Sequence, residues 1–292
     1  MLADALNGER VTVVIPCFNS GETIGQTVAS VRAQTCPQVE IVVVDDGSTD
    51  PSTIAVLNAL TGIRLVRQKN AGLPAARNAG FAAATGDYVL PLDADDWLET
   101  DAIERLIRGL REDSSATFSY SHMQLEGEAS GVLVKSYNFF EQLFLNQMPY
   151  CLLLPRAVWE SVGGYDELMR KGYEDWEFNI RLGVAGYYGH VVREPLFHYR
   201  VSSGGMLISQ SNRLHGDLWR IIQKKHYDLY CFGNLLTLWR GWRNRPSTYP
   251  LILYFGWLLA HRLLPGSAFS VLFRYLRMMS HSRRVTTRQG RT

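Results

Sequence analysis

The sequence predicts an α/β fold: a Rossmann-like, mostly parallel sheet flanked by helices. Three observations lead there. Short β-branched runs alternate with stretches of helical spacing up to about residue 112. Each run ends in a polar cluster. The chain has 292 residues and is 46% hydrophobic, enough for a sizeable core.

The elements follow in order. "VTVVIP" (11–16) reads as a buried parallel strand. "ETIGQTVASVRAQT" places Ile24, Val28 and Val31 on one helical face. "EIVVVDD" (40–46) is a second strand, closed by the turn signal "DGS". A helix is expected near 51–60 and a third strand at "IRLVRQ" (63–68). "LPAARNAGFAAA" (73–84) reads as a helix with Pro in its first turn, where the missing N–H does no harm. "DYVLPLD" (87–93) is the fourth strand. In such sheets ligands lie beyond the carboxyl ends of the strands. "PCFNSGE", "DDGSTD", "QKN" and "DADD" all fall there.

The pattern changes after residue 112. "ATFSYSHMQLEGEASGVLVKSY" reads as two strands around a Gly-containing turn, and "RAVWESVGGYDE" as a short helix stopped by Gly-Gly. "GYEDWEFNIRLGVAG" reads as a helix with Trp176, Ile180 and Val184 on one face. The expected organisation is 1–112, a nucleotide-binding half; 113–225, an acceptor-side half of the same domain; and 226–292, a basic, apolar helical tail.

The net charge of +2 hides a split. After Asp228 there is no Asp, Glu or Lys, and ten arginines follow, so residues 1–228 carry +2 − 10 = −8. Cys17, Cys36, Cys151 and Cys231 form no CxxC pair, which argues against a zinc site and for free thiols. The first ten residues lack a signal-peptide core, predicting no export. The longest apolar stretch, "LILYFGWLLA", falls short of the roughly 20 residues that span a bilayer.

Asp93, Asp95 and Asp96 crowd the end of the fourth strand. The spacing Asp93-x-Asp95 suits a hard divalent cation, Mg²⁺ or Mn²⁺, held near phosphates. The alternative is helix capping: Asp96 stands where a helix beginning near Trp97 would need a cap.

Taken together, "VIPCFNSGETI", "IVVVDDGSTD", "NAGLPAARNAG" and "LPLDADDW" resemble the inverting glycosyltransferases of family 2, which have the GT-A fold. The resemblance is close over about residues 10–100 and weaker to about 200. It implies that Pro16 and Phe18 line a nucleobase pocket, Phe18 standing where relatives often carry Tyr. It places Glu22 near ribose, Asp45 on the base, Arg77 on the nucleotide and Asp93 near ribose or sugar, with Asp95 as metal ligand. "GYEDWEFNIRL" looks like the family's ED motif, making Asp175 the general base and Glu174 its alternative. Otherwise this acidic pair merely complements a helix N-terminus. In "FHYRVSSGG", His198 is a candidate metal ligand, or simply structural, and Arg200 faces the diphosphate. Gly204 and Gly205 suggest a loop that closes over the donor.

The implied activity is metal-dependent, inverting transfer of a sugar from a nucleotide-sugar, UDP-linked by expectation, to a hydroxyl of a glycan or lipid-linked glycan. A nucleotidyltransferase would carry a Gly- and Arg/Lys-rich loop after the first strand, which "PCFNSGE" lacks. A non-catalytic nucleotide-sugar-binding module is the other alternative. The tail mixes Trp, Tyr, Leu and Arg, the composition of helices in a membrane interface. This predicts peripheral attachment to an anionic membrane at its cytoplasmic face. Packing on the catalytic domain, a homo-oligomer interface and nucleic-acid binding are the alternatives, with nucleic acid the least favoured.

Overall fold

A computed structural model describes residues 8–202, 214–281 and 285–286, with side chains up to Tyr275. Gly204, Gly205 and the side chains of Arg277, Arg283, Arg284, Arg288 and Arg291 lie outside the described residues.

Strands β1 (Val11–Cys17), β2 (Val39–Asp45), β3 (Arg64–Arg67) and β4 (Tyr88–Pro91) are parallel. With antiparallel β8 (Leu154–Pro155) they form a sheet of order β3-β2-β1-β4-β8. Helices α1 (Ile24–Arg32), α2 (Pro51–Ala59) and α3 (Leu73–Ala83) connect the parallel strands, and the short α6 (Arg156–Ser161) follows β8. One apolar cluster packs β1 and β2 against α1 and α4 (Ala102–Glu112). A second packs the opposite face against α3 and α7 (Glu174–Val184). Helix α3 sits close to the sheet because Gly80 faces it. A Cβ there would lie 2.2 Å from Val14 Cγ1 and 3.0 Å from Val44 Cγ2, so only glycine permits this approach.

A second sheet has the order β10-β7-β6-β9-β5. Its strands are β5 (Trp97–Leu98), β6 (Phe118–Gly127), β7 (Gly131–Leu133), β9 (Gly189–Val201) and β10 (Val285–Thr286). The two strands expected around the Gly-containing turn are β6 and β7, an antiparallel pair. No helix begins at Trp97: this residue pairs with His198 as strand β5, and α4 starts five residues later. Asp96 is therefore not a helix cap.

Helix α7 carries two apolar faces, because it lies between two cores. Phe178 and Leu182 enter the second cluster. Trp176 and Ile180 enter a third, aromatic cluster. Val184, expected on the Trp176 face, is 55% exposed at the helix end.

The third cluster joins α5 (Phe139–Gln142), α7 and α8 (His215–Lys225) to α9 (Phe232–Trp242), α10 (Leu251–Leu263) and α11 (Gly266–His281). Tyr230, Leu235, Tyr254, Trp257, Leu258, Phe269 and Phe273 are its buried tail residues. The tail thus packs on the rest of the protein through one face. The other face exposes Ile252, Leu259, Leu263, Val271 and Tyr275, each at least 59% accessible. Among the described residues no helix is long and apolar enough to cross a membrane.

Candidate active site

The loops after β1 to β4 meet at one sheet edge and are stitched together by side chains. Asn19, in the left-handed region at φ 53°, accepts hydrogen bonds from the N–H groups of Thr49 and Asp50. This ties the first loop to the second. Asp46 accepts from Gln68 Nε2 and from the Ala71 and Gly72 N–H groups, tying the second to the third. Gly47 makes that approach possible: a Cβ would meet Asn70 N at 2.7 Å.

Along this edge Pro16 is buried in β1, whereas Phe18 is 46% exposed. A polar loop presents the ring outward, so Phe18 is not a core residue. Glu22 is exposed. Asp45 is buried, accepts from Ser48 N–H at 2.8 Å and faces Arg67.

Arg77 lies at the centre of the site. Its side chain is 1% exposed and donates to Asp93 Oδ1 at 2.7 Å and to Glu174 Oε1 at 2.6 Å. Its guanidinium lies over the rings of Tyr150 and Tyr165. Its two terminal nitrogens are taken by these carboxylates, and its Nε is left without a hydrogen-bond partner among the described residues. Arg77 thus bridges the β4 edge to the start of α7.

The three aspartates after β4 divide their roles. Asp96 is buried and accepts from Tyr150 Oη and from the Arg200 N–H. Tyr150 Oη in turn accepts from the Asp93 N–H. Asp96 therefore shapes the turn. Asp93 and Asp95 stay half-buried. Burial and the nearby Asp93 charge push the Asp95 carboxyl up to about 6. Arg200 lies beside them, its Nε on the Asp95 carbonyl and another nitrogen on Gln26.

The His198 ring stacks on Trp97, and its nitrogens face Glu99 at 2.8 Å and Glu126 at 3.3 Å. Its backbone pairs with that of Trp97, two residues from Asp95, on the second sheet. Among the described residues no three His, Cys, Asp or Glu side chains gather as a metal site. Asp95, beside an Asp93 whose charge Arg77 already shares, nevertheless suits a hard cation whose other ligands are phosphate oxygens and water.

The ED pair opens α7 after a strained step, Tyr173 at φ 65°. Glu174 is buried on Arg77. Asp175 is half-buried, and its Oδ2 accepts from Asn146 Nδ2 at 2.7 Å. Burial raises both carboxyls while Arg77 pulls them down. Glu174 is thus a partner of Arg77, whereas the side-chain partner of Asp175 is Asn146. Trp176 is core, with its indole N–H on the Gln142 carbonyl. Sequence reasoning missed Asn146 and Tyr150, which carry no motif.

The family described as "Glycosyl transferase family 2" matches residues 12–155. Those residues contain all of the parallel sheet but Val11, and the three aspartates. The chain belongs to the family 2 glycosyltransferases. The hyaluronan synthase of Pasteurella multocida is 26% identical over 230 residues, covering 74% of this chain and 22% of that relative. The glycosyltransferase GlyA of Streptococcus pneumoniae is 30% identical over 220 residues, covering 68% and 31%. The chain therefore spans only about a fifth to a third of the length of these curated relatives. The crystal structure of S. aureus TarS 1–349 in complex with UDP-GlcNAc superposes with a TM-score of 0.62 at 19% identity, covering 76% of this chain and 67% of that one. This likeness supports the GT-A fold for the family 2 chain.

Proposed function

We propose that this family 2 protein transfers a sugar, with inversion, from a UDP-linked donor to a hydroxyl of a glycan or lipid-linked glycan, in polysaccharide synthesis. The observation that carries the reading is the Asp93–Arg77–Glu174 bridge. It holds the strand-end aspartates and the start of α7 together, so that donor and base face one space. The UDP and UDP-GlcNAc in TarS crystals favour a UDP-linked donor. The division 1–112, 113–225 and 226–292 into donor half, acceptor half and tail belongs to the same proposal.

In this reading Pro16 and Phe18 hold the base by apolar contact and stacking, Asp45 accepts from it, and Glu22 reaches the ribose. Asp95 and Asp93 would hold a Mn²⁺ or Mg²⁺ ion with the diphosphate; when bound, it supplies neutralisation of the leaving group. Arg200, beside the Asp95 carbonyl, adds positive charge there. Asp175, steadied through Oδ2 by Asn146, takes the acceptor proton on Oδ1. The acceptor oxygen bonds to the anomeric carbon as its bond to the diphosphate breaks. One displacement inverts that centre.

The exposed apolar face of α10 and α11, with Arg262 and Arg274, supports docking on an anionic membrane at its cytoplasmic side. This would bring the site to lipid-linked acceptors.

A hydrolysis screen over common nucleotide-sugars with Mn²⁺ tests the activity. Release of sugar from one donor, abolished by EDTA, is the expected result. No release and no transfer from any donor, with or without metal, would refute it.

A further inference from the structure

Between the site and the tail lies a buried polar network of which the reaction, as described, uses only Asn146. Glu141 on α5 is fully buried, yet no cation pairs with it among the described residues. Its carboxylate accepts instead from Gln147 Nε2 and from four tail donors. These are Ser247 Oγ, the Thr248 N–H, Thr248 Oγ1 and Tyr254 Oη. The helix start is tied too: Asn138 caps α5 and donates to the Trp242 and Pro246 carbonyls.

From there the bonds run toward α7. Gln142, fully buried, accepts from the Gln147 N–H at 2.9 Å and donates to Asn146 Oδ1 at 3.1 Å. Asn146 then donates to Asp175 Oδ2. The Gln142 carbonyl also accepts from Trp176, next to Asp175. Burying so many polar groups in an aromatic cluster is costly unless each is satisfied. A satisfied network fixes one arrangement of its members. The arrangement fixed here is that of the 142–147 loop against the N-terminus of α7.

We propose that Asn146 is a positioning residue for Asp175, and that the C-terminal helices hold Asn146 in place through Glu141. The proposal rests on the reading of Asp175 as the base. It makes the tail part of the active-site scaffold, in addition to any role at a surface. With Oδ2 held by Asn146, Oδ1 of Asp175 is the oxygen left to take the acceptor proton, and the tail braces the holder together with Asn179 of α7. The charged and titratable groups that act on Asp175 are Arg77 from α3, neighbouring Glu174, Lys135 after β7, Tyr165 and Tyr199. None of these substitutes for the Asn146 donor.

The test reads Asp175 directly, in the full chain without substrate. Aspartate carboxyl carbons are labelled with ¹³C, and the Asp175 signal is identified by its loss in Asp175→Asn. Asn146 favours the ionised form, so Asn146→Ala should raise the midpoint by about one pH unit. Tyr254→Phe keeps its ring in the cluster, and Thr248→Ala removes a smaller group. Each should raise the midpoint in the same direction, by roughly a third of a unit. Unchanged titration in Asn146→Ala overturns the positioning role. A shift in that variant alone, with both tail variants titrating as wild type, overturns the bracing. A lower melting temperature with no shift in any variant overturns both. The base reading is checked separately: full sugar transfer by Asp175→Asn would remove it, whatever the titrations show.

Discussion

Replacing Arg77 by Met keeps most of the side-chain volume and removes the charge that two carboxylates share. Asp93 is 24% exposed and can turn toward water; Glu174 is 6% exposed and cannot. Removing one partner of a buried pair costs about 3–5 kcal/mol. Glu174 can escape by taking up a proton. From an unfolded pKa of about 4.3 that uptake costs about 4 kcal/mol at pH 7, which caps the penalty of the orphaned charge. Burial already raises the Glu174 carboxyl to about 7 in the wild type, so most of that cost is present before the mutation. A net loss of about 1 kcal/mol at pH 7 follows, rising above pH 7, where the wild-type carboxyl ionises and the orphaned one stays protonated. Glu174 is an acid raised by folding, so its penalty is absent below the unfolded pKa and grows as pH rises. The deficit of Arg77→Met should therefore widen between pH 7 and pH 9. In urea, with a slope of roughly 3 kcal/mol per molar, the midpoint should fall by about 0.3 M at pH 7 and by about 1 M at pH 9. Adding Glu174→Gln removes the orphaned charge and should recover at least half of the loss. An unchanged midpoint, or a double variant as unstable as the single one, would refute the bridge.

Other outcomes follow from the same geometry. Asp175→Asn should lower sugar transfer by roughly 10²–10⁴-fold while UDP binding, followed by fluorescence, stays within about twofold. Wild-type transfer should fall on the acid side at a pH above the ordinary aspartate range, because burial raises Asp175. Glu177 is buried, and His226 and Arg181 hold its carboxyl down at about 2 against that burial. A depressed acid stabilises above its unfolded pKa and loses this as pH falls toward the folded value. Glu177→Gln should thus cost about 2–3 kcal/mol at pH 7, and the gap from wild type, read by urea melts, should close between about pH 4.5 and 2. The double change Leu259→Glu, Leu263→Glu touches exposed positions. It should cut sedimentation with anionic liposomes several-fold and leave the melting temperature nearly unchanged.

What the sequence makes legible is local. The four parallel strands announce themselves because β-branched runs and turn residues sit next to each other along the chain. The convergence of their loops follows from topology alone. What it hides is set by partners far away. Trp97 reads as a helix start, but its pairing partner is His198, in β9 far along the chain. Nothing near His198 in the chain announces that its ring will face Glu99 and Glu126. Nothing near Arg77 says that Glu174 will meet it. Asn146, Tyr150 and Glu141 have no motif, and each acts through a residue 29 or more positions away. The tail composition signals an apolar surface, yet one face of that surface is spent on the aromatic core. Deleting the tail would remove core residues, which is why point changes on its exposed face are the sharper probe.

The central claim is that Asp95, at the end of β4, holds a cation shared with a nucleoside diphosphate. Calorimetric titration of UDP into the wild type and Asp95→Asn, each with and without Mn²⁺, tests it most directly. Manganese should tighten UDP binding to the wild type by at least about tenfold and leave the variant's weaker binding unchanged. An equal manganese response in both proteins would contradict the account.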